Sequence, residues 1–175
     1  MRAEAAADSL PAVAGEGTVQ LGAFSMKCPP EWATQPANGT MRLARFTWPK
    51  ADGDDEEPEL IAFFFGVGGG GPVDENIDRW RKQFVEEGEP APGSLDAFET
   101  DSLRITLLDK SGTYMFKERP MAEGFTPKPG WRLLGAVVEL EGGPLFFRAT
   151  GPDASVAAQR DALIAALKTI APRPS

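Results

Sequence analysis

The sequence predicts an α+β fold, an α/β/α sandwich with a central, mostly antiparallel sheet of about six to eight strands and two main helices. Three observations carry this expectation. The run Leu60–Phe65 is apolar at every position, the pattern of a strand covered on both faces rather than one. Two segments, about residues 74–87 and 153–171, repeat their apolar residues at helical spacing. The remaining segments read as short strands joined by hairpins, and hairpins make antiparallel neighbours.

The elements come in this order. Val19, Leu21, Phe24 and Met26 form a short hairpin that ends at Cys28-Pro29-Pro30. Met41–Trp48 alternates: Met41, Leu43 and Arg45 share one face, with Arg42, Ala44, Phe46 and Trp48 on the other. Leu60–Phe65 is the central strand. In the first helix Ile77, Trp80 and Phe84 make one stripe, joined by Val85, with Asp74 as N-cap and Gly88 and Pro90 as terminators. Leu103, Ile105 and Leu107 alternate with polar residues, and a turn at Asp109–Gly112 leads into a strand over Thr113–Phe116. After a long Pro- and Gly-containing connection, Trp131–Leu140 and Leu145–Thr150 pair across Gly142-Gly143. Val156, Leu163, Ile164, Leu167 and Ile170 give the last helix its buried face, and Pro172 stops it.

A chain of 175 residues is one domain by default, able to bury roughly 70% of its unfolded surface. We expect a disordered arm over residues 1–16 and a single globular domain over 17–172. The arm is rich in Ala and broken by charge, Pro and Gly, without the continuous apolar core of a secretory signal. It reads either as a native tail or as the start of an exported chain whose leader has been removed. No apolar run approaches the ~20 residues of a membrane-spanning helix, so no transmembrane segment is expected.

The net charge is −8, which disfavours phosphate backbones and anionic surfaces at long range; nucleic acid is not an expected partner. Histidine is absent, which removes the usual general base near neutral pH and the commonest zinc ligand. The lone Cys28 has no activating base nearby in sequence and reads as a small hydrophobe rather than a nucleophile. No serine lies in G-x-S-x-G, and Ser111 fits a turn.

The glycines Gly66, Gly68 and Gly71 satisfy G-x-G-x-x-G between the central strand and the first helix. A dinucleotide site needs its last glycine inside the helix, and here Pro72 comes at once after Gly71. Asp74, Glu75 and Asp78 in the first turn suit the helix dipole and oppose a phosphate. The run is expected to be a mobile connector, and no cofactor is expected. The acidic run over residues 52–59 makes Asp52, Asp54, Asp55 and Glu57 candidate calcium ligands. Gly53 is misplaced for an EF-hand, and a solvated loop is the preferred reading, with no metal expected.

Trp80 falls on a helix stripe and belongs to the core. Trp32 and Trp48 sit at strand–loop junctions, where they either pack or meet a partner. Arg42 and Arg79 either bond loop carbonyls or hold an anionic group of a ligand. These four residues, Arg42, Trp48, Arg79 and Trp32, are the candidate binding residues; no catalytic residue stands out. The partner is a protein or a small ligand.

Two segments together resemble the superfamily of the photosystem II extrinsic protein PsbP and its Ran-binding relative of nuclear import. They are FSMKCPPEW, a strand running into Pro and Trp, and GPLFFRATGPDASVAAQRDALIAALKTI, a strand, a Gly-Pro-Asp turn and a terminal helix. The middle, from MRLARFTWPK to FFFGVGGGGPVDENIDRW, is similar to uncharacterised bacterial members, some exported or lipid-anchored. The resemblance spans roughly residues 18–171 as a pattern of elements. It implies an α/β/α sandwich, a binding or assembly role rather than catalysis, and an exported or periplasmic location. It carries over no active site. The function so implied is a non-enzymatic binding or accessory domain of bacterial origin. The alternative is a hydrolase or other enzyme that brings two carboxylates together in a cleft.

The acidic loop gives a direct test. A site of submicromolar affinity would be saturated by millimolar calcium and stabilise the fold by about 4 kcal/mol. That would shift the thermal midpoint on the order of ten degrees. Little change is expected. A large rise, lost in Asp54→Asn/Asp55→Asn, would overturn this reading and make metal binding the leading function.

Overall fold

The computed structural model describes residues 13–14, 17–37, 39, 41–86, 89–90, 93–116 and 124–173. The chain runs β1 (Val13–Ala14), β2 (Thr18–Leu21), β3 (Phe24–Lys27), β4 (Ala33–Gln35), β5 (Arg42–Thr47), β6 (Glu59–Phe63), α1 (Val73–Arg81), β7 (Phe84–Glu86), β8 (Glu89–Pro90) and β9 (Ser94–Glu99). It continues with β10 (Arg104–Phe116), β11 (Thr126–Glu139), β12 (Leu145–Pro152), α2 (Asp153–Ala157), α3 (Arg160–Leu167) and β13 (Ala171–Pro172).

The large sheet has a path of eight strands in the order β4-β5-β6-β12-β11-β10-β7-β8, and β9 also pairs with β10. Every pairing is antiparallel. The edge of β10 is shared, with β9 along its first half and β7 after a bulge between Gly112 and Tyr114. A smaller sheet, β1-β2-β3-β13, ties both ends of the described chain together. Within it Val13–Ala14 pair with Thr18–Val19; the rest of the expected arm lies outside the described residues.

Alternation along β11 shows how the layers form. Leu134, Ala136 and Val138 face one core, with Phe46, Leu60, Phe147 and the α2–α3 residues Val156, Leu163 and Leu167. Leu133 and Val137 face the other, with Ile77 and Trp80 of α1. The helices therefore lie on opposite faces of the sheet, as the doubly apolar Leu60–Ala62 segment requires. Trp80 meets the sheet at Gly135, where a Cβ would lie 2.4 Å from the indole. That glycine is a seat for a ring.

Several expected elements are redrawn. The first helix stops at Arg81, with Lys82 as C-cap, and Phe84 and Val85 belong to β7. Strand pairing with Tyr114 and ring stacking at 5.0 Å win over the helical spacing of Phe84. Its N-cap is Pro72, not Asp74, whose Oδ1 instead accepts the Glu75 N–H. The expected turn at Asp109–Gly112 is continuous strand, because both charges have buried partners. Asp109 accepts from Arg132 and Arg160, and the Lys110 amine donates to the carbonyls of Arg81 and Phe84. The hairpin partner of β10 is β9, whose SLDAFE lacks a strong apolar pattern. The second helix is broken at Gln159 into α2 and α3, and residues 171–172 return as a strand on β3. The central strand ends at Phe63, leaving Phe65 partly exposed.

Gly135→Ala should place a methyl group against the indole and cost about 1–3 kcal/mol through overpacking. Chemical denaturation measures it, and Trp80→Leu should make the same glycine change nearly neutral.

Candidate functional site

A helix of nine residues is only about 14 Å long, whereas β10 and β11 each run on the order of 45 Å. One part of that sheet face is sealed by Ile77 and Trp80. The remainder, where β6, β10, β11 and β12 continue past the helix, is an open cleft of about 690 Å³.

Its floor is aromatic. Tyr114 stacks between Phe84 and Trp131 at 5.0 and 5.6 Å, and Phe116 meets it edge-on at 5.9 Å. Arg148 of β12 lies over Tyr114, 5.4 Å from the ring centre, and donates to the Tyr114 hydroxyl at 2.9 Å. Gln83 holds it from the other side, accepting from Nε at 3.1 Å. Lys128 is caged by Trp131 at 4.5 Å and Phe116 at 4.8 Å, and reaches Glu56 at 3.3 Å. The acidic loop supplies the opposite rim: Glu56, Glu57 and Glu59, with Glu59 bound to Arg45 at 2.6 Å. Asp54 leaves this rim and accepts from Ser155 Oγ on α2, which also accepts the Ala51 N–H at 2.8 Å.

A smaller slot beside α1, of about 190 Å³, shares Gln83 and Arg148 with the cleft. Gly70 has a φ of +93°, and a Cβ there would lie 2.4 Å from the Phe146 ring. Two carbonyls of the glycine loop face α1. Asn76, only 1% exposed, donates to the Gly70 and Pro72 carbonyls at 2.8 and 2.9 Å, and its Oδ1 accepts from Arg79. A phosphate cradle presents N–H groups to its ligand, so this loop has the wrong polarity for one and serves to fix an arginine instead. The Gly68 N–H bonds the Gly143 carbonyl at 2.9 Å, tying the run to the β11–β12 turn.

Of the sequence candidates, Arg42 lies over Phe63 at 5.9 Å on the cleft side, because a register shift between Arg42 and Ala44 turns it away from the face of Ala44, Phe46 and Trp48 on which the alternation had put it, and Arg79 lines the slot. Trp32 and Trp48 lie in the core on the other face, 5% and 0% exposed, their rings 5.3 Å apart. Trp32 Nε1 donates to Gln159 at 2.8 Å. The residues not singled out from sequence are Arg148, Tyr114, Lys128 and Trp131. One signal was available: Arg148 is the single charge in the apolar strand LFFRAT, with buried neighbours on both sides.

A second polar cluster has a different character. Asp109, with a side chain 6% exposed, accepts from Arg132 at 2.8 and 3.0 Å and from Arg160 at 2.9 Å, and these arginines reach on to Asp153 and Asp96. The Asp109 hydrogen bond, against an opposing desolvation, raises the Arg132 pKa above its ordinary value. Every charge in it is matched, and it clamps α3 to the sheet.

No protein-family model matches the sequence, and no curated protein matches it. Among solved structures, PsbP from the cyanobacterium Synechocystis sp. PCC 6803 superposes with a TM-score of 0.51 at 9% identity, over 95% of this chain and 94% of that one. The fold is PsbP-like. A protein from Bacteroides thetaiotaomicron VPI-5482 aligns at 16% identity and a TM-score of 0.49, over 91% of this chain and 50% of its own. A protein of unknown function from Pseudomonas aeruginosa aligns at 16% identity and a TM-score of 0.47, over 90% and 97%.

Burial pushes the Cys28 thiol up to about 12, so the reactive thiolate is scarce at neutral pH. A disulfide reagent at pH 8 should therefore leave native protein unmodified and titrate one thiol after denaturation. Because the folded state holds its proton more tightly, this group's contribution to stability is full below the ordinary thiol pKa of 9.0 and is lost as pH rises toward 12. Rapid labelling of the native chain at pH 8 would contradict the burial.

Proposed function

We propose that this chain is a non-enzymatic binding or accessory domain of bacterial origin, working in the cell envelope, with its ligand in the cleft beyond α1. The observation that carries the reading is the floor of that cleft. Where the sheet face leaves the helix it does not become an ordinary solvated surface; it becomes Tyr114, Trp131 and Phe116 with Arg148 and Lys128 laid against them. Aromatic faces with a few placed polar groups are the composition of ligand sites. The likeness of the fold to a cyanobacterial PsbP supports an accessory role by analogy. Among the described residues no helix is long and apolar enough to cross a membrane.

The hydrolase alternative has Glu56, Glu57 and Glu59 on the cleft rim. Two of them are engaged, Glu56 with Lys128 and Glu59 with Arg45, which leaves Glu57 without a second carboxylate free to work with it. Binding is the better-supported use of the cleft.

Fragment titration followed by two-dimensional NMR tests this. Ligands should perturb Tyr114, Trp131 and Lys128 first, and Trp131→Ala should weaken them about tenfold or more, the usual cost of losing a central aromatic contact. Responses confined to other surfaces would overturn the reading. Hydrolysis of a chromogenic ester or glycoside that disappears in Glu57→Gln would replace it with the enzymatic one.

A further inference from the structure

The slot beside the glycine loop differs chemically from the rest of the cleft. Its walls are Phe63, Phe65, Trp80 and Phe146, and its polar lip is Arg79 and Arg148. Phe63 and Phe65 stack at 5.9 Å, and Phe65 meets Phe146 edge-on at 5.4 Å. Each guanidinium is positioned by an uncharged amide, Arg79 by Asn76 and Arg148 by Gln83. An amide orients a guanidinium and leaves its charge unmatched. Arg42 adds another such charge over Phe63.

This contrasts with most of the chain. Arg45, Arg81, Arg104, Arg132 and Arg160 all pair with carboxylates, whereas among the described residues Arg42, Arg79 and Arg148 pair with none, as does Arg173, which donates to the Gly22 carbonyl. In a protein of net charge −8, carboxylates are plentiful. Three arginines gathered around one phenylalanine without any is a local inversion of the overall charge.

We propose that the slot binds a monocarboxylate carrying one apolar or aromatic group, with the carboxylate on Arg79 and Arg148 and the apolar group against Phe65 and Trp80. The inference rests on the reading of the cleft as a binding site and names the chemistry of its ligand. A planar guanidinium matches a carboxylate in a two-point bond. The volume of about 190 Å³ takes a single ring, since an apolar cavity of about 150 Å³ is already enough for benzene. Asp74 and Glu75 in the first turn of α1 add negative charge on the helix that carries Arg79, which weighs more against a doubly charged phosphate than against a monocarboxylate. A free organic acid and the C-terminal residue of a peptide present the same group.

The probes are 3-phenylpropionate, its neutral amide, and a short peptide ending in Phe with its terminus free or amidated. NMR titration follows the Arg79 and Arg148 Nε–H and the Trp80 indole N–H. The acid should bind about tenfold or more tightly than the amide, since a charge-assisted bond is lost. Arg79→Gln should reduce that preference severalfold, with Arg148 still holding the carboxylate. Arg79 is exposed, so the substitution leaves folding intact. Phe65→Ala should weaken both. A free-terminus peptide binding more tightly than phenylpropionate identifies a chain end as the source; the reverse order identifies a free acid. Equal affinity of acid and amide, or no response at Arg79 and Trp80 at millimolar acid, overturns the proposal. If fragments still perturb Tyr114 and Trp131 in that case, the cleft reading stands alone; if they perturb neither, both fall.

Discussion

The docking of Trp80 on Gly135 decides which part of the sheet face is covered. It brings α1 flat against β11, close enough that a methyl group would not fit between them. Because α1 has only nine residues, that close seat closes one stretch of a much longer face and leaves the continuation open. The opposite face is covered by α2, α3 and the small sheet, with Trp32, Phe46 and Trp48 buried there. The asymmetry of the sandwich is thus one of coverage, two helices and a small sheet on one face against a single nine-residue helix on the other.

What was legible from sequence was whatever depended on local pattern. The run Leu60–Phe65 needed no partner to be read as a doubly covered strand, which holds for the buried Leu60–Ala62 and fails at the exposed Phe65, and Ile77 with Trp80 marked the buried stripe of α1. What was not legible depended on residues far apart in the chain. Asp109-Lys110-Ser111-Gly112 has the composition of a turn, and it becomes strand because Arg132 and Arg160, 23 and 51 residues away, neutralise the buried carboxylate. Phe84 has helical spacing and is drawn into a strand by Tyr114, 30 residues further on. The same reason hid Arg148, whose role appears only when Gln83 and Tyr114 are brought beside it. Arg42 and Arg79 were visible as candidates because each borders a loop, whereas Trp32 and Trp48, chosen on the same ground, lie in the core.

The electrostatics work on two length scales. At long range the chain is acidic and slows the approach of any anion. Within a Debye length of about 8 Å at physiological salt, the local arrangement dominates. The slot and the adjoining part of the cleft carry Arg42, Arg79 and Arg148, while Glu56 on Lys128 holds the acidic loop to another part of the cleft. An arrangement of this kind selects against polyanions, which feel the whole surface, and tolerates a single negative charge attached to an apolar body.

Both ends of α1 are fastened by side-chain N–H groups that donate to backbone carbonyls, one neutral and one charged. At its start the Asn76 amide is bonded to the carbonyls of the glycine loop; at its end the Lys110 ammonium, itself buried, is bonded to the carbonyls of Arg81 and Phe84. A cation at a helix C-terminus also complements the dipole there. The wall of the slot is therefore pre-organised. Closing it around a ligand requires no folding of a segment and little loss of chain entropy, so that affinity is set by the contacts themselves and not reduced by the cost of ordering the site.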